Sequence, residues 1–133
     1  MSSPAMSRAE AERLLAEVKI HEAFGLELTE WEHGAVRFSF RPPALSRAGE
    51  GGVHGGALLT ALDTAACFAA IAAVGQDCFT VDLRSDFLRP ALDEQLTVRG
   101  TLLRAGKRFA CADATLTSPD DRLLAVARGT FIW

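Results

Sequence analysis

The chain has 133 residues, of which 49% are hydrophobic and 23% charged, and its formal net charge is -3. This length corresponds to about one domain, and the composition is typical of a globular protein rather than a disordered one. The negative charge argues against a protein that binds nucleic acid through the phosphate backbone. We therefore predict one domain spanning residues 1–133.

The cysteines and the N-terminus indicate the compartment. Cys67, Cys78 and Cys111 are an odd number, and none has a spacing typical of a zinc site. The first residues lack the basic segment, apolar run and cleavage site of a secretory signal. These features predict a cytoplasmic protein with reduced thiols, no metal and no redox cofactor.

The N-terminal half begins with a short helix and a hairpin. Ser7 and Glu10 have the spacing of a capping box, and an apolar stripe at i, i+3, i+4 and i+7 follows, which predicts a helix within an N-terminal segment of residues 1–22. After Gly25 the apolar residues alternate with polar ones, and this pattern predicts two strands that turn at His33 and Gly34.

Residues 55–74 form the most apolar segment of the chain. Eight of these 20 residues are alanine, and Asp63 is the only charged one. A membrane span is the competing interpretation, but the aspartate would cost about 2.5 to 3.5 kcal/mol in a bilayer and no aromatic belt flanks the segment. We predict a buried helix in a protein that does not cross a membrane.

Four further strands are predicted after this helix, at about residues 79–89, 95–103, 109–117 and 122–133. Only short turns join them, so an antiparallel sheet is expected rather than alternating parallel units. The fold class is therefore α+β, with a curved sheet wrapped around one long, thin helix.

The start of the long helix is the first candidate site. Glycines lie just before this helix and at its first positions, which leaves its first amide donors accessible at the positive end of the helix dipole. A carbonyl oxygen or an oxyanion could bind there, although close packing of helix on sheet is the simpler explanation for glycines alone.

A polar stripe along the helix is the second feature. Gly56, Thr60, Asp63, Thr64 and Cys67 share one face. Burial should raise the pKa of Asp63 and make it a base or a nucleophile, whereas a structural aspartate bonded by Thr60 or by the next strand is the alternative. Cys67 is interpreted as an apolar filler, because no histidine supports it as a nucleophile.

The helix geometry predicts a second subunit. Gly56 and Asp63 are about 10 Å apart along the axis, at roughly 1.5 Å per residue, which is too far for both to act on one carbonyl. An antiparallel helix from a two-fold-related copy would bring its Asp63 level with Gly56. An obligate dimer with shared sites follows.

The sequence around these residues resembles the hotdog-fold acyl-CoA thioesterases of the phenylacetate-degradation (PaaI-like) type. Val53-His54-Gly55-Gly56 followed by Asp63-Thr64 is similar to the helix motif of that family, and residues 80–90 are similar to its following strand. The order of elements agrees over nearly the whole chain. The resemblance implies a hotdog domain and the hydrolysis of an acyl-CoA, aromatic or medium-chain, with coenzyme A as part of the substrate.

The resemblance also implies residue roles and assembly. The Gly56 amide would polarise the thioester carbonyl with His54 nearby, and Asp63 of the facing subunit would attack the carbonyl or activate water that Thr80 orients. Substrate contacts are expected from Gly55, Thr60, Thr64 and Arg89, and the assembly would be a homodimer or a homotetramer. The chain has Ala48 where the family commonly has an asparagine that contacts the substrate carbonyl.

Two other functions remain open. Loss of that asparagine is compatible with an acyl-CoA binding or sensing protein that does not hydrolyse its ligand. A hotdog dehydratase or hydratase is the other alternative, although the order of His54 and Asp63 is the thioesterase-like one. By strict alternation Thr80 would point away from Phe79 and Val81, so it reaches the site only if its strand begins irregularly.

Overall fold

The computed structural model describes residues 2–133. The helices and strands are α1 (Arg8–Glu17), α2 (Lys19–Ala23), β1 (Leu26–Glu32), β2 (Ala35–Phe40), α3 (Gly55–Val74), β3 (Phe79–Phe87), β4 (Leu96–Ala105), β5 (Phe109–Thr117) and β6 (Leu123–Ile132). The predicted order of elements is confirmed, with α2 as an addition.

The N-terminal helix starts as its sequence predicts. The Glu10 N–H donates to the Ser7 hydroxyl, and the Ser7 N–H donates to the Glu10 carboxylate. The helix ends at Val18, which has an extended backbone, and a second short helix begins after it. His21 of α2 bonds through Nδ1 to the Leu15 carbonyl oxygen at 2.8 Å, which satisfies a backbone group in the last turns of α1.

All six strands form one antiparallel sheet in the order β1-β2-β4-β5-β6-β3. The strands that follow one another in sequence are not always neighbours, since β2 pairs with β4 and β3 returns to pair with β6. The predicted α+β architecture, an antiparallel sheet packed on one long helix, is confirmed. Strand β3 lies at one edge of the sheet and β1 at the other.

Helix α3 is the core of the fold and has the predicted bounds. Twelve of its 20 residues are buried. Among residues 2–133 it is the one helix long and apolar enough to span a membrane, with a mean hydropathy of 1.9, but its apolar faces pack inside the fold. Gly100 of β4 makes this packing close, because a Cβ atom there would collide with the Ala65 carbonyl oxygen.

The start of β3 departs from the predicted alternation. Phe79 pairs with Ile132 and Thr80 with Phe131, and the register then shifts between Thr80 and Asp82. The bulge turns Thr80 to the helix-facing side, where Phe131 is also buried, and leaves Phe79 on the outer face with Ile132. The irregular start that Thr80 needs in order to reach the site is therefore present.

Candidate active site

The amino end of α3 is held by its own histidine. His54 is the N-cap residue, and the Gly56 N–H donates to its Nδ1 at 2.9 Å. Because Nδ1 accepts this bond, the neutral ring carries its proton on Nε2. The side chain is exposed, so it presents an Nε2–H donor to the space in front of the helix.

This contact affects the predicted role of Gly56. The amide expected to meet the substrate carbonyl is occupied by the ring in the single chain. The preceding amide, that of Gly55, has no hydrogen-bond partner within the described residues. Gly55 is half-buried, with the Phe87 ring beside its Cα. The structure thus offers two donors at this end of the helix, the Gly55 N–H and the His54 Nε2–H.

Backbone hydrogen bonds fix the loop that leads into the helix. The His54 N–H donates to the Ser46 carbonyl oxygen at 2.7 Å, and the Val53 N–H donates to the Ala91 carbonyl oxygen at 3.0 Å. Arg47 also fixes the loop, which the sequence did not predict. Its guanidinium forms a clamp by donating to the carbonyl oxygens of Gly51 and Asp93 at 2.9 and 2.7 Å. These bonds join the loop to the connection between β3 and β4.

A first cavity of about 660 Å³ lies against this end of the helix. His54, Gly56 and Ala48 line it, as does the exposed carboxylate-bearing residue Glu50. The remaining wall is mostly apolar, formed by Phe24, Leu45, Val53, Ala57 and Pro90. Mixed lining of this kind, largely apolar with a few polar groups, is typical of small-molecule sites.

Asp63 is positioned by the strand that follows the helix. The Thr80 hydroxyl donates to its Oδ1 at 2.7 Å. Asp63 itself is half-buried in the single chain, where the sequence analysis expected it to be largely desolvated. The irregular start of β3 makes this contact possible, because it turns Thr80 towards the helix.

A second cavity of about 300 Å³ opens beside Asp63 and Thr80. Cys67 and Cys78 contribute to its wall, and the Cys67 thiol donates to the Cys78 carbonyl oxygen at 3.4 Å. Burial raises the pKa of the Cys67 thiol far above its ordinary value and raises the pKa of Cys78 to about 12. Both thiols are therefore protonated at neutral pH, as expected for fillers and not for nucleophiles.

The remaining predicted contacts are divided between structural and exposed positions. Thr60 and Thr64 each donate to the carbonyl four residues earlier in α3, at 3.0 and 2.8 Å, so their hydroxyl hydrogens serve the helix. Arg89 is exposed and donates to the Leu123 carbonyl oxygen at 3.2 Å. Their roles as substrate contacts stay predictions.

The two candidate clusters are separate within one chain. His54 and Gly56 line the first cavity, whereas Asp63, Thr64 and Thr80 line the second. Gly56 and Asp63, one from each cluster, are about 10 Å apart along the axis of α3, at roughly 1.5 Å per residue. One chain thus places the predicted carbonyl donors at one cavity and the predicted base or nucleophile at the other.

Comparison with known proteins identifies relatives of the whole chain. The family model of the thioesterase superfamily matches residues 50–125. Medium/long-chain acyl-CoA thioesterase YigI of Salmonella typhimurium is 28% identical, and the alignment covers 98% of each chain. A Saccharolobus solfataricus protein described as a candidate esterase is 30% identical over 97% of this chain and 87% of its own length.

Solved structures share the fold. The Escherichia coli PaaI protein from the phenylacetic acid degradation operon superposes with a TM-score of 0.86 at 22% identity, covering 93% of this chain and 90% of that one. A thioesterase from Haemophilus influenzae gives a TM-score of 0.86 at 18% identity, with coverage of 99% and 94%. At these identities the similarity shows a shared fold.

Proposed function

The chain belongs to the thioesterase superfamily, and we propose that it hydrolyses the thioester bond of an acyl-CoA with an aromatic or medium-chain acyl group, releasing the free acid and coenzyme A. One observation carries the proposal. A carboxylate fixed by a hydroxyl, Asp63 with Thr80, shares a helix with a set of free donors at its amino end. These are the two kinds of group that acyl transfer needs, a base or nucleophile and an oxyanion site.

The donors proposed to hold the thioester carbonyl are the Gly55 N–H and the His54 Nε2–H. We assign Gly56 an indirect role, because its N–H fixes the tautomer of His54. The positive end of the α3 dipole adds to the stabilisation of negative charge on the carbonyl oxygen. This arrangement needs no side-chain amide at position 48, where the chain has alanine.

Asp63 of the facing subunit is proposed to accept a proton from water, which adds to the thioester carbon, or to attack that carbon itself. The carbon–sulfur bond then breaks, and the coenzyme A thiolate leaves and takes up a proton, from Asp63 on the first route and from solvent on the second. On the second route a mixed anhydride of Asp63 remains, and water hydrolyses it, which releases the acid and restores the carboxylate. A thiolate is a good leaving group, so the site needs little acid catalysis. The Thr80 hydroxyl holds the carboxylate in one orientation during either route.

The two sheet edges support a dimer through β3. On the β1 edge the Arg8 guanidinium donates to the Leu28 carbonyl oxygen at 2.8 Å, so a side chain covers part of that edge. The outer edge of β3 pairs with no strand in the part of the chain described here, and its Phe79, Val81 and Phe87 are 50 to 63% exposed. Pairing of β3 with β3 of a second copy would cover this apolar edge and bring the two α3 helices together.

The curated relatives support the chemistry. YigI, which aligns over nearly the full length of this chain, is named as a thioesterase for medium- and long-chain acyl-CoA. We carry the thioester substrate over to this chain.

Thiol release from a panel of acyl-CoAs tests the proposal. The panel runs from acetyl to palmitoyl and includes phenylacetyl and benzoyl groups, with Asp63→Asn as the matched blank, since this change keeps the shape of the side chain. We expect release by the wild-type protein and a loss of at least about 100-fold in the variant. Full activity of Asp63→Asn would contradict the proposed mechanism.

Co-expression of two inactive variants tests the shared site. Asp63→Asn and His54→Ala each damage both sites of their own dimer, but a mixed dimer has one site with neither change. Random pairing should restore about one quarter of the wild-type activity if each site uses both subunits. No recovery from a mixture in which mixed dimers are isolated would show that the two residues act within one chain.

A second function is favoured by Ala48, which lines the first cavity where the resemblance places a carbonyl-contacting asparagine. Alanine at this position is compatible with a protein that binds acyl-CoA and releases no thiol. Calorimetric binding of octanoyl-CoA by folded protein, together with no release from the whole panel, would establish that alternative.

A further inference from the structure

We propose that the hairpin formed by β4 and β5 docks onto the surface of a lipid bilayer that carries anionic lipids. Its basic turn would lie against the lipid headgroups, and the exposed apolar side chains beside the turn would enter the interfacial layer without crossing the membrane. The part of the hairpin concerned is residues 103–109, which contribute to neither cavity. Docking is therefore independent of hydrolysis.

The charge of this hairpin is opposite to that of the whole chain. Between Glu94 and Asp113 the sequence has four basic residues and no acidic one, whereas the formal net charge of the chain is -3. Three of the four, Arg104, Lys107 and Arg108, are exposed at the turn. None of the ion pairs within residues 2–133 includes them, so their charges are available to an anionic partner.

The fold gathers these three cations at a projecting tip. The Gly106 N–H donates to the Phe109 carbonyl oxygen at 2.9 Å and closes the turn. The Arg104 guanidinium lies next to this turn, since a Cβ atom at Gly106 would be 3.7 Å from its Nη1. Strand β4 continues past Thr101, the last residue paired with β2, so the hairpin projects about 13 Å beyond that strand, at roughly 3.3 Å per residue. A flat surface can therefore meet all three cations at once.

Apolar side chains are exposed beside the cations. Phe109 pairs with Ile132, and these two side chains are 49% and 42% exposed on the outer face of the sheet. Leu103, at the irregular end of β4, is 47% exposed. Phe79 continues the row, but it belongs to the edge assigned to the dimer. Exposed apolar residues next to basic ones are typical of surfaces that bind the interface of an anionic bilayer.

The position of the apolar pair favours a bilayer over the phosphates of a soluble nucleotide. Phe109 and Ile132 lie on the face of the sheet opposite to α3, whereas both cavities adjoin α3. A soluble phosphate would use the cations and leave these apolar side chains in water. A bilayer uses both features, because its headgroup phosphates attract the cations and its interfacial layer accepts the apolar side chains.

Sedimentation with lipid vesicles tests the proposal. The wild-type protein should bind vesicles of about 70% phosphatidylcholine and about 30% phosphatidylglycerol at low ionic strength, and should not bind phosphatidylcholine alone. A basic residue near such a surface raises affinity roughly fivefold, so the double variant Lys107→Gln, Arg108→Gln should bind about 25-fold more weakly. Phe109→Ser removes an inserted ring and should weaken binding by about tenfold.

The double variant Arg13→Gln, Lys19→Gln is the matched control. These two residues are also exposed and outside the ion pairs of the described chain, so the variant loses the same charge from α1 and α2. It should bind the anionic vesicles as the wild-type protein does.

Three sedimentation results would overturn the proposal: no binding of the wild-type protein to the anionic vesicles, equal losses in the hairpin variant and the control, or wild-type binding by Phe109→Ser. The hairpin variant should also keep the wild-type affinity for octanoyl-CoA in calorimetry without vesicles. A weaker affinity there would assign the cations to the coenzyme A phosphates and overturn docking. A changed oligomeric state of Phe109→Ser in size-exclusion chromatography would overturn it as well, since the apolar pair would then join copies of the chain.

Discussion

The Thr80 hydroxyl donates a 2.7 Å hydrogen bond to Oδ1 of Asp63, across the junction between α3 and the bulged start of β3. This bond fixes Oδ1 of the carboxylate and does not occupy Oδ2. It also ties the position of the proposed catalytic group to an irregularity in the sheet.

Loss of the Thr80 hydroxyl should therefore reduce turnover. Thr80→Val keeps the shape of the side chain but removes the donor, so the carboxylate can rotate away, and kcat should fall by about 10- to 100-fold. Thr80→Ser keeps a hydroxyl and should retain most of the activity. Full activity of Thr80→Val together with a loss in Thr80→Ser would show that the methyl group, and not the hydrogen bond, matters; steady-state kinetics of thiol release distinguish the two.

The Gly56 position should be sensitive for a steric reason. A Cβ atom there would lie 3.0 Å from Nδ1 of His54, so Gly56→Ala pushes the ring out of its hydrogen bond. We expect kcat to fall about tenfold with little change in the unfolding temperature. Gly49→Ala is the matched control in the same loop, since a Cβ atom at Gly49 meets nothing within 4 Å. Normal activity of Gly56→Ala would contradict the role given to the ring.

Gly100→Ala should destabilise the fold. Its Cβ atom would collide with the backbone oxygen of Ala65, and neither the helix nor the sheet can move aside without losing core contacts. The free energy of unfolding should fall by about 1 to 3 kcal/mol or more, measured by urea denaturation. Gly106→Ala, where the nearest atom is 3.5 Å away, should change it much less. Similar values for the two variants would refute close packing as the reason for Gly100.

Because two thiols are buried, the free energy of unfolding should depend on pH in the alkaline range. Burial raises the pKa of Cys67 and Cys78 above the ordinary value of 9.0, so the folded state holds these protons more tightly than the unfolded chain. Their contribution is fully present below about pH 9 and is lost as the pH rises through the folded values.

Urea denaturation at pH 8 and pH 10 measures this effect. Cys78→Ala should lose less stability between the two pH values than the wild-type protein. Cys111→Ala, which removes one thiol outside the cavity, serves as control and should behave as the wild type does. A Cys78→Ala variant with the wild-type pH dependence would rule out the buried thiol as its source.

Local patterns predicted a large part of this structure. The capping box at Ser7, the bounds of α3 and the strand β5 follow from short-range signals, namely side-chain capping, an uninterrupted apolar run and alternation between turns. The second short helix was missed because the bond of His21 to Leu15 that accompanies it joins residues on either side of a break at Val18. The clamp formed by Arg47 was missed for a similar reason, since its partners include Asp93, 46 residues away.

The sequence by itself determined the chemical inventory of the site: a helix that begins in glycines after His54, and one aspartate seven residues beyond Gly56. Helical periodicity then predicts which residues share a face. Tertiary structure alone decided that Thr80 reaches Asp63, because one extra residue in β3 reverses the direction of the side chains before it, and nothing in strict alternation signals that bulge. It also decided that His54 takes up the Gly56 amide and that the Phe68 ring packs against those of His21, Trp31 and Phe38, since both depend on the positions of side chains in three dimensions.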